Sequence, residues 1–132
     1  MTKAKLGTVN FPVGDFLIKI KNASMATKKE VETRPTKQSV AISEVLKKEG
    51  FLESYKIEDG ILKVRLAFRS KKPVLLGLKI VSTPGLRIYF DIKGIEKKRS
   101  PSIYLINSSR GVITSKKAIK DRIGGEIIAE VW

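Results

Sequence analysis

Two serines and an arginine form a short polar connection, Asn107-Ser108-Ser109-Arg110-Gly111, between two apolar runs in the segment YLINSSRGVIT. Serine hydroxyls both donate and accept hydrogen bonds, so they could reach base edges or a ribose 2′-hydroxyl. Gly111 would let a partner approach the backbone closely, and Arg110 could contact a phosphate. Taken alone, the pattern favours a serine-rich turn that bonds its own backbone.

Residues near two other predicted turns could contribute to the same chemistry. Glu126 follows the paired glycines Gly124 and Gly125, and it could accept a hydrogen bond from a base amine or orient a serine hydroxyl. Arg87 and Tyr89 share one face of a predicted strand, where the aromatic ring could stack on a base. Simpler alternatives exist for both. The glycines would end a helix before an exposed strand acid, and Tyr89 would be a half-buried sheet residue.

The chain is strongly basic, since 27 Lys and Arg stand against 13 Asp and Glu, a net charge of +14 over 132 residues. The excess is spread along the chain rather than held in a tail. Because self-repulsion opposes compaction, a folded body of this kind predicts a polyanionic partner. Nucleic acid is the first candidate and an anionic membrane surface the second. The runs KGIEKKRS and TSKKAIKDR flank the polar connection and add charge beside it.

The sequence contains no Cys and no His. Thiol nucleophiles, Cys/His zinc sites and Ser-His-Asp triads are therefore excluded, and no carboxylate or lysine pattern suggests another catalytic site. We predict no catalytic residues, no metal site and no cofactor. No apolar run approaches the roughly 18–20 residues that span a membrane, and the N-terminus lacks the apolar core of a secretory signal. We expect a cytoplasmic protein with no membrane partner.

Helical spacing of apolar residues predicts a first helix in the segment NFPVGDFLIKIKNA. Its apolar stripe consists of Val13, Phe16, Leu17 and Ile20. Asn10 could cap this helix, and Pro12 is tolerated in its first turn. Lys19, Lys21 and Asn22 lie off the stripe, so their side chains are expected to point away from the core.

A strand over KKEVET (28–33) and a second helix are predicted next. Thr36 would cap this helix, and Gly50 would end it in the left-handed conformation. Phe51 could then pack back on Leu46. The runs FLESYKI and ILKVRLAF predict a hairpin whose turn contains a glycine, and the second of these strands alternates apolar and basic residues.

The charged segment RSKKP (69–73) is interpreted as a linker. Beyond it, LGLKIV and LRIYFDI predict two strands joined by a type II turn, with Pro84 and Gly85 at its centre. The runs SIYLIN and GVIT are predicted strands around the polar connection. Thr114 or Ser115 would cap a short helix, and GGEIIAEVW would close the chain as a strand.

These elements predict an α+β fold of two small domains. The N-terminal domain, residues 1–70, has the order α-β-α-β-β. The C-terminal domain, residues 71–132, is β-rich with one short helix. The polar connection belongs to the C-terminal domain, whereas the exposed cations of the first helix belong to the N-terminal one.

Five motifs in this order resemble the eighth protein of the small ribosomal subunit, of bacterial or organellar type. They are PVGDFLIKIKNA, LKKEGFLESY, STPGLRIY, NSSRGVIT and the terminal GGEIIAEVW. The resemblance covers essentially the whole chain, and the combination is specific to this universal family. It favours the functional interpretation of the polar connection over the simple turn.

The resemblance implies a two-domain RNA-binding protein that is a structural constituent of the small ribosomal subunit. Members of the family bind the central domain of 16S rRNA early and help to assemble the platform of the 30S subunit. They lie near the fifth and twelfth small-subunit proteins, and some repress their own mRNA, which is a further candidate partner. The protein would then lie in a cytoplasmic ribosome or in an organellar one.

The family's signature loop, Ser-Thr-Ser-x-Gly, meets an irregular internal loop of an rRNA helix. The resemblance places Ser108, Ser109 and Gly111 in that loop. Asn107 stands at the family's first serine, and Arg110 replaces its lysine. The other implied RNA contacts are Glu126, Tyr89, the backbone-contacting residues Lys19, Lys21 and Asn22, and, in a segment one residue shorter than in the family, Thr36 and Lys37.

Two alternative functions stay open at this point. A general DNA- or RNA-coating protein would need aromatic residues along basic grooves, and one Trp and three Tyr are few for that role. An RNA-modifying enzyme would need a nucleotide-binding glycine loop, a metal-binding set or a histidine, and the sequence shows none of these. A structural rRNA-binding protein is therefore the favoured interpretation, and not an enzyme.

Overall fold

The computed structural model of the chain describes residues 11–97 and 102–132, and it shows a mixed α+β fold, as predicted. Its elements are α1 (Pro12–Met25), β1 (Glu30–Thr33), α2 (Lys37–Lys48), β2 (Leu52–Glu58), β3 (Ile61–Leu66), β4 (Phe68–Arg69), β5 (Lys72–Pro73), β6 (Leu78–Ile80), β7 (Tyr89–Phe90), α3 (Ile92–Lys97), β8 (Ile103–Ser108), β9 (Gly111–Thr114), α4 (Ser115–Asp121) and β10 (Gly125–Val131). The strands form an antiparallel sheet in the order β1-β3-β2, a second in the order β6-β10-β8-β9 with β7 also paired to β10, and the small pair β4-β5.

Helix α1 buries the apolar stripe that its spacing predicts. Phe16, Leu17 and Ile20 are fully buried, and Val13 packs beside them. The N-cap position is Phe11, which makes no side-chain cap, and a proline occupies the first turn. The predicted cap, Asn10, lies outside the described residues. Helix α1 is therefore positioned mainly by the burial of its stripe.

Helix α2 begins and ends as its sequence predicts. The Thr36 hydroxyl accepts from the Ser39 N–H at 3.0 Å, while the Thr36 N–H donates to the Ser39 hydroxyl at 2.9 Å. Gly50 has φ +88°, and the Phe51 N–H donates to the Leu46 carbonyl at 2.9 Å. Phe51 is buried in the same core as Leu46. This ending is a Schellman motif with its hydrophobic contact.

The hairpin of β2 and β3 turns through Asp59 and Gly60, both with positive φ, as a tight primed turn requires. Strand β3 ends at Leu66, earlier than expected. The segment 69–73 is not an extended linker, because Arg69 pairs with Lys72 in the β4-β5 hairpin.

The main hydrophobic core contains residues from both predicted domains. Leu17 and Leu66 belong to it, and so do Leu78, Leu105 and Val131. A second, smaller cluster lies under α3 and α4 and consists of Ile95, Ile106, Ala118 and Ile127. The two larger sheets thus contribute to one apolar core together with α1 and α2, while the division at residue 70 stays a prediction.

The prediction of one helix in the C-terminal half is wrong, since the described part of that half contains both α3 and α4. Helix α3 begins within the run that was expected to continue a strand to Ile92. The Gly94 N–H donates to the Asp91 carboxylate at 2.8 Å, and Ile95 is buried. An aspartate cap and one apolar anchor therefore start a helix where alternation had suggested a strand.

The turn at Pro84 and Gly85 also differs from its prediction. Thr83 and Leu86 exchange backbone hydrogen bonds of 3.0 and 3.1 Å, but Gly85 stays outside the left-handed region, so the turn is not type II. Strands β6 and β7 each pair with β10 instead of with one another. The Ile88 N–H donates to the Ser82 hydroxyl at 2.9 Å and closes the loop between them.

The two turn glycines allow a matched stability test. We expect Gly50→Ala to lower the free energy of unfolding by about 1–2 kcal/mol, because a residue with a Cβ is strained at φ +88°. Gly85→Ala is the control, since its Cβ would meet open space at an ordinary φ, and we expect a change within about 0.5 kcal/mol. Urea unfolding measures both, and an equal loss at the two positions would contradict the assigned turns.

Candidate nucleic-acid interface

Three predicted site residues lie in one row across the C-terminal sheet. Glu126 on β10 is paired with Asn107 on β8 along one edge and with Tyr89 on β7 along the other. Directly paired residues project from the same face of a sheet, with neighbouring strands about 4.7–4.9 Å apart. The structure therefore brings together residues that lie 19 and 37 positions from Glu126 in the sequence.

The paired glycines before Glu126 serve the packing of the chain itself. A Cβ at Gly125 would lie 2.6 Å from the carbonyl oxygen of Asn107. A Cβ at Gly124 would lie 2.6 Å from the carbonyl oxygen of Phe90. These glycines thus let β7 and β8 approach the start of β10 closely. This backbone packing fixes the relative positions of the residues in the row.

Glu126 is paired with Arg87. The Arg87 Nη1 donates to the Glu126 Oε2 at 3.3 Å, and the Glu126 side chain is only 11% exposed while that of Arg87 is 57% exposed. Both line a cleft of about 160 Å³ that Gln38 and Pro84 also line. Because a buried carboxylate needs a partner, the ion pair with Arg87 offsets the cost of burying Glu126 at the edge of this cleft.

The side chains of the polar connection have two different roles. The Ser108 hydroxyl donates to the Gly111 carbonyl at 2.9 Å and accepts from the Arg110 N–H at 3.1 Å, while Gly111 has φ +96°. Ser108 therefore builds the turn, as the simpler interpretation had it. Asn107 and Ser109 are exposed, and their side chains make no hydrogen bond within the described ranges. As far as the described residues go, their polar groups are unoccupied and could meet a partner.

The C-terminal end of helix α4 lies beside the tip of this connection. Thr114 caps the helix by accepting from the Lys117 N–H at 3.2 Å, so the predicted cap is Thr114 rather than Ser115. At the other end, the Asp121 carboxylate lies 3.7 Å from Arg110 and 3.2 Å from Lys117. Arg110 is thus held beside the helix and is partly neutralised there.

The predicted contacts of the N-terminal half lie in a different place. Lys19, Lys21 and Asn22 are exposed on α1, and the first and last of them line a groove between α1 and β1. The Thr36 hydroxyl is engaged in the cap of α2, whereas Lys37 is exposed. Between these residues and the polar connection, no hydrogen bond or ion pair is formed in the part of the chain that the structure describes.

Sequence reasoning missed three residues that border these surfaces. Gln38 lies in the cleft beside Glu126, and Lys28 lies in the α1–β1 groove. Neither position carries a local signal, because each acquires its neighbours through the fold. Asp121 could have been found, since it stands four residues after Lys117 on a helix, a spacing that favours an ion pair.

Residues 11–97 and 102–132 hold no cluster of three or more acidic, His or Cys side chains that could bind a metal ion. None of the helices in the same ranges combines the length and the apolar character that a membrane span requires.

The chain matches the sequence profile of the ribosomal protein S8 family over residues 12–132. It is similar to the small ribosomal subunit protein uS8 of Kosmotoga olearia, with 43% identity over 130 residues, 92% of this chain and 97% of that protein. The uS8 protein of Nitratidesulfovibrio vulgaris (strain DP4) is 37% identical over 122 residues, 92% of this chain and 97% of the relative. That of Lactobacillus johnsonii is 39% identical over 127 residues, with 92% and 96% covered.

The Arg87–Glu126 pair can be tested with a double-mutant cycle of Arg87→Ala and Glu126→Gln. We expect a coupling free energy of about 0.5–1.5 kcal/mol, because one partner is largely buried and the other is not. Urea unfolding of the four proteins measures it. The cycle for Lys56 and Glu58, which are both well exposed, is the control and should give less than about 0.5 kcal/mol. No coupling between Arg87 and Glu126 would contradict the pair.

Proposed function

The chain belongs to the ribosomal protein S8 family, and from that premise we propose that it is a structural constituent of the small ribosomal subunit that binds 16S rRNA. The family is structural, so the chain is not an enzyme. Within the proposal, the protein binds the central domain of the rRNA early and helps to form the platform. The observation that supports it best is the row of Asn107, Glu126 and Tyr89 beside the exposed Ser109.

Recognition of a folded RNA is assigned to the C-terminal sheet. Ser109 and Asn107 would donate to and accept from base edges or ribose hydroxyls. Tyr89 is 65% exposed, so its ring is accessible for stacking on an unpaired base. Glu126 would accept from a base amine, and the exposed guanidinium of Arg87 would contact a phosphate while it stays paired with Glu126.

Docking on the phosphate backbone is assigned to exposed cations outside this row. Lys19 and Lys21 on α1 are exposed, as are Lys116 and Lys120 on α4. Such contacts position a protein on RNA and contribute affinity without reading sequence. The proposed complex therefore combines a small specific surface with a larger electrostatic one.

A sequence-tolerant coating protein fits the structure less well. Burial, with Glu44 close by, raises the pKa of Tyr55, and burial beside Glu130 raises the pKa of Tyr104. These two rings are engaged in the protein itself. Tyr89 is thus the one exposed tyrosine in the described part of the chain, and a line of stacking platforms cannot be built from it.

Within the assembly, the fifth and twelfth small-subunit proteins are the proposed neighbours, and the protein's own mRNA is a second proposed RNA ligand.

Ser109 provides the test of specific recognition. We expect Ser109→Ala to weaken binding to a transcript of the 16S central domain about 3- to 10-fold, the effect of one lost hydrogen bond, while affinity for an unrelated RNA stays within twofold. Ser54→Ala, at an exposed serine on β2, is the matched control and should bind both RNAs like the unchanged protein. Equal losses on the two RNAs would refute a role in specificity.

The electrostatic part of the proposal predicts a strong salt dependence. Each neutralised phosphate contributes about −0.7 to −0.9 to the slope of log K against log salt, so contacts from Lys19, Lys21 and Lys116 alone give about −2 or steeper. Filter binding over a series of KCl concentrations measures this slope. An excess of duplex DNA should leave the rRNA fragment bound. Binding that is independent of salt, or displaced equally by DNA, would contradict the proposal.

A further inference from the structure

The hairpin of β4 and β5 has a turn that is unusual for its residues. Phe68 pairs with Pro73 and Arg69 with Lys72, so the turn consists of Ser70 and Lys71. Both have left-handed backbones, with φ of 53° and 66°. Turns of this kind are normally made by Asn-Gly, because glycine adopts positive φ without a steric penalty. The residues present here are therefore unfavourable for the turn itself.

The hairpin tip concentrates unpaired positive charge. Arg69, Ser70, Lys71 and Lys72 are all exposed, and across residues 11–97 and 102–132 none of the three cations forms an ion pair. The neighbouring sheet behaves differently. There, the three cations of β2 and β3 all face carboxylates, in the pairs Lys56–Glu58, Lys63–Glu58, Arg65–Glu30 and Arg65–Glu53. Among the described residues, carboxylates compensate the positive charge of the sheet and leave that of the hairpin uncompensated.

The base of the hairpin is anchored, so the tip has a defined place. The Val74 N–H donates to the Ala67 carbonyl at 2.9 Å, and the Ala67 N–H donates to the Phe51 carbonyl at 3.1 Å. Phe68 packs against the main core. Phe51 stands three residues after the end of α2, whose last turn carries the exposed Lys47 and Lys48. The base of the hairpin is therefore fixed by backbone hydrogen bonds and core packing, and the tip projects from it.

We propose that the β4-β5 hairpin is a second RNA-contact surface, which holds backbone phosphates of an RNA segment other than the one that meets residues 107–111. The proposal rests on the proposed function and extends it. Three cations and one hydroxyl on a four-residue tip match closely spaced phosphates, to which Lys and Arg bind as charges and Ser as a hydrogen-bond donor. An acidic protein partner fits less well, because the exposed tip offers no apolar residue for the centre of a protein interface.

The test compares two triple variants that remove the same charge. Arg69→Gln, Lys71→Gln and Lys72→Gln together remove the hairpin cations, while Lys56→Gln, Lys63→Gln and Arg65→Gln remove the paired cations of the sheet. With a transcript of the 16S central domain, we expect the hairpin variant to lose about 2–3 from the log–log salt slope and to bind about 10- to 100-fold more weakly at 0.15 M KCl. The sheet variant should change affinity less than about threefold.

A milder variant keeps the hairpin and removes one contact. Ser70→Asn with Lys71→Gly installs the favoured turn, so folding is retained while one cation is lost. Its salt slope should fall by about 0.7–0.9, and its melting temperature should not decrease. In the unchanged protein, bound RNA should protect Lys71 and Lys72 from acetylation, with Lys56 as the reactive control.

The possible failures are distinguishable. Equal weakening by the hairpin and sheet triple variants, or acetylation of Lys71 and Lys72 that RNA does not slow, would overturn the hairpin proposal. So would protection of these lysines by a ribosomal protein alone, which would show an acidic protein partner instead. If the unchanged protein does not bind the transcript, the proposed function itself fails. If it binds and Ser109→Ala weakens it while the hairpin variant does not, the hairpin proposal alone is wrong.

Discussion

Backbone pairing of β10 along both of its edges is the constraint on which the candidate site depends. One edge holds β8 and the other holds β7, so Glu126 lies between Asn107 and Tyr89. The approach is close enough that Gly124 and Gly125 have no room for a Cβ. Because these contacts are made by backbone atoms, the row is positioned by the sheet rather than by the side chains that would meet RNA.

Polar side chains in this protein divide into those that build turns and those that face outward. The hydroxyls of Ser108 and Thr36 form hydrogen bonds with backbone groups two or three residues away, so they are occupied. Ser109 and Asn107 stand one residue to either side of Ser108 and are exposed. The serine-rich turn and the recognition loop are therefore compatible, since a rigid turn presents its neighbours at low entropic cost.

Cationic side chains likewise divide into those that are paired within the protein and those that are not. Acidic residues neutralise Arg65 on the sheet, Arg87 in the cleft and Arg110 beside α4. The cations of the β4-β5 hairpin have no such partner in the described residues. The positive charge behind the net value of +14 is thus distributed unevenly over the surface. The surfaces that combine exposure with missing carboxylates are the ones where a polyanion would gain most.

The sequence by itself determined the features that depend on neighbours within a few residues: the stripe of α1, the ends of α2 at Thr36 and Gly50, and the turn of β2 and β3. It also determined the α+β class and the family. Only the tertiary structure decided the pairing of Arg87 with Glu126, the place of Gln38 in the cleft and the exposed tip of the β4-β5 hairpin. Local patterns record backbone preference and burial, whereas these arrangements depend on which distant strands share an edge of β10 and a common core.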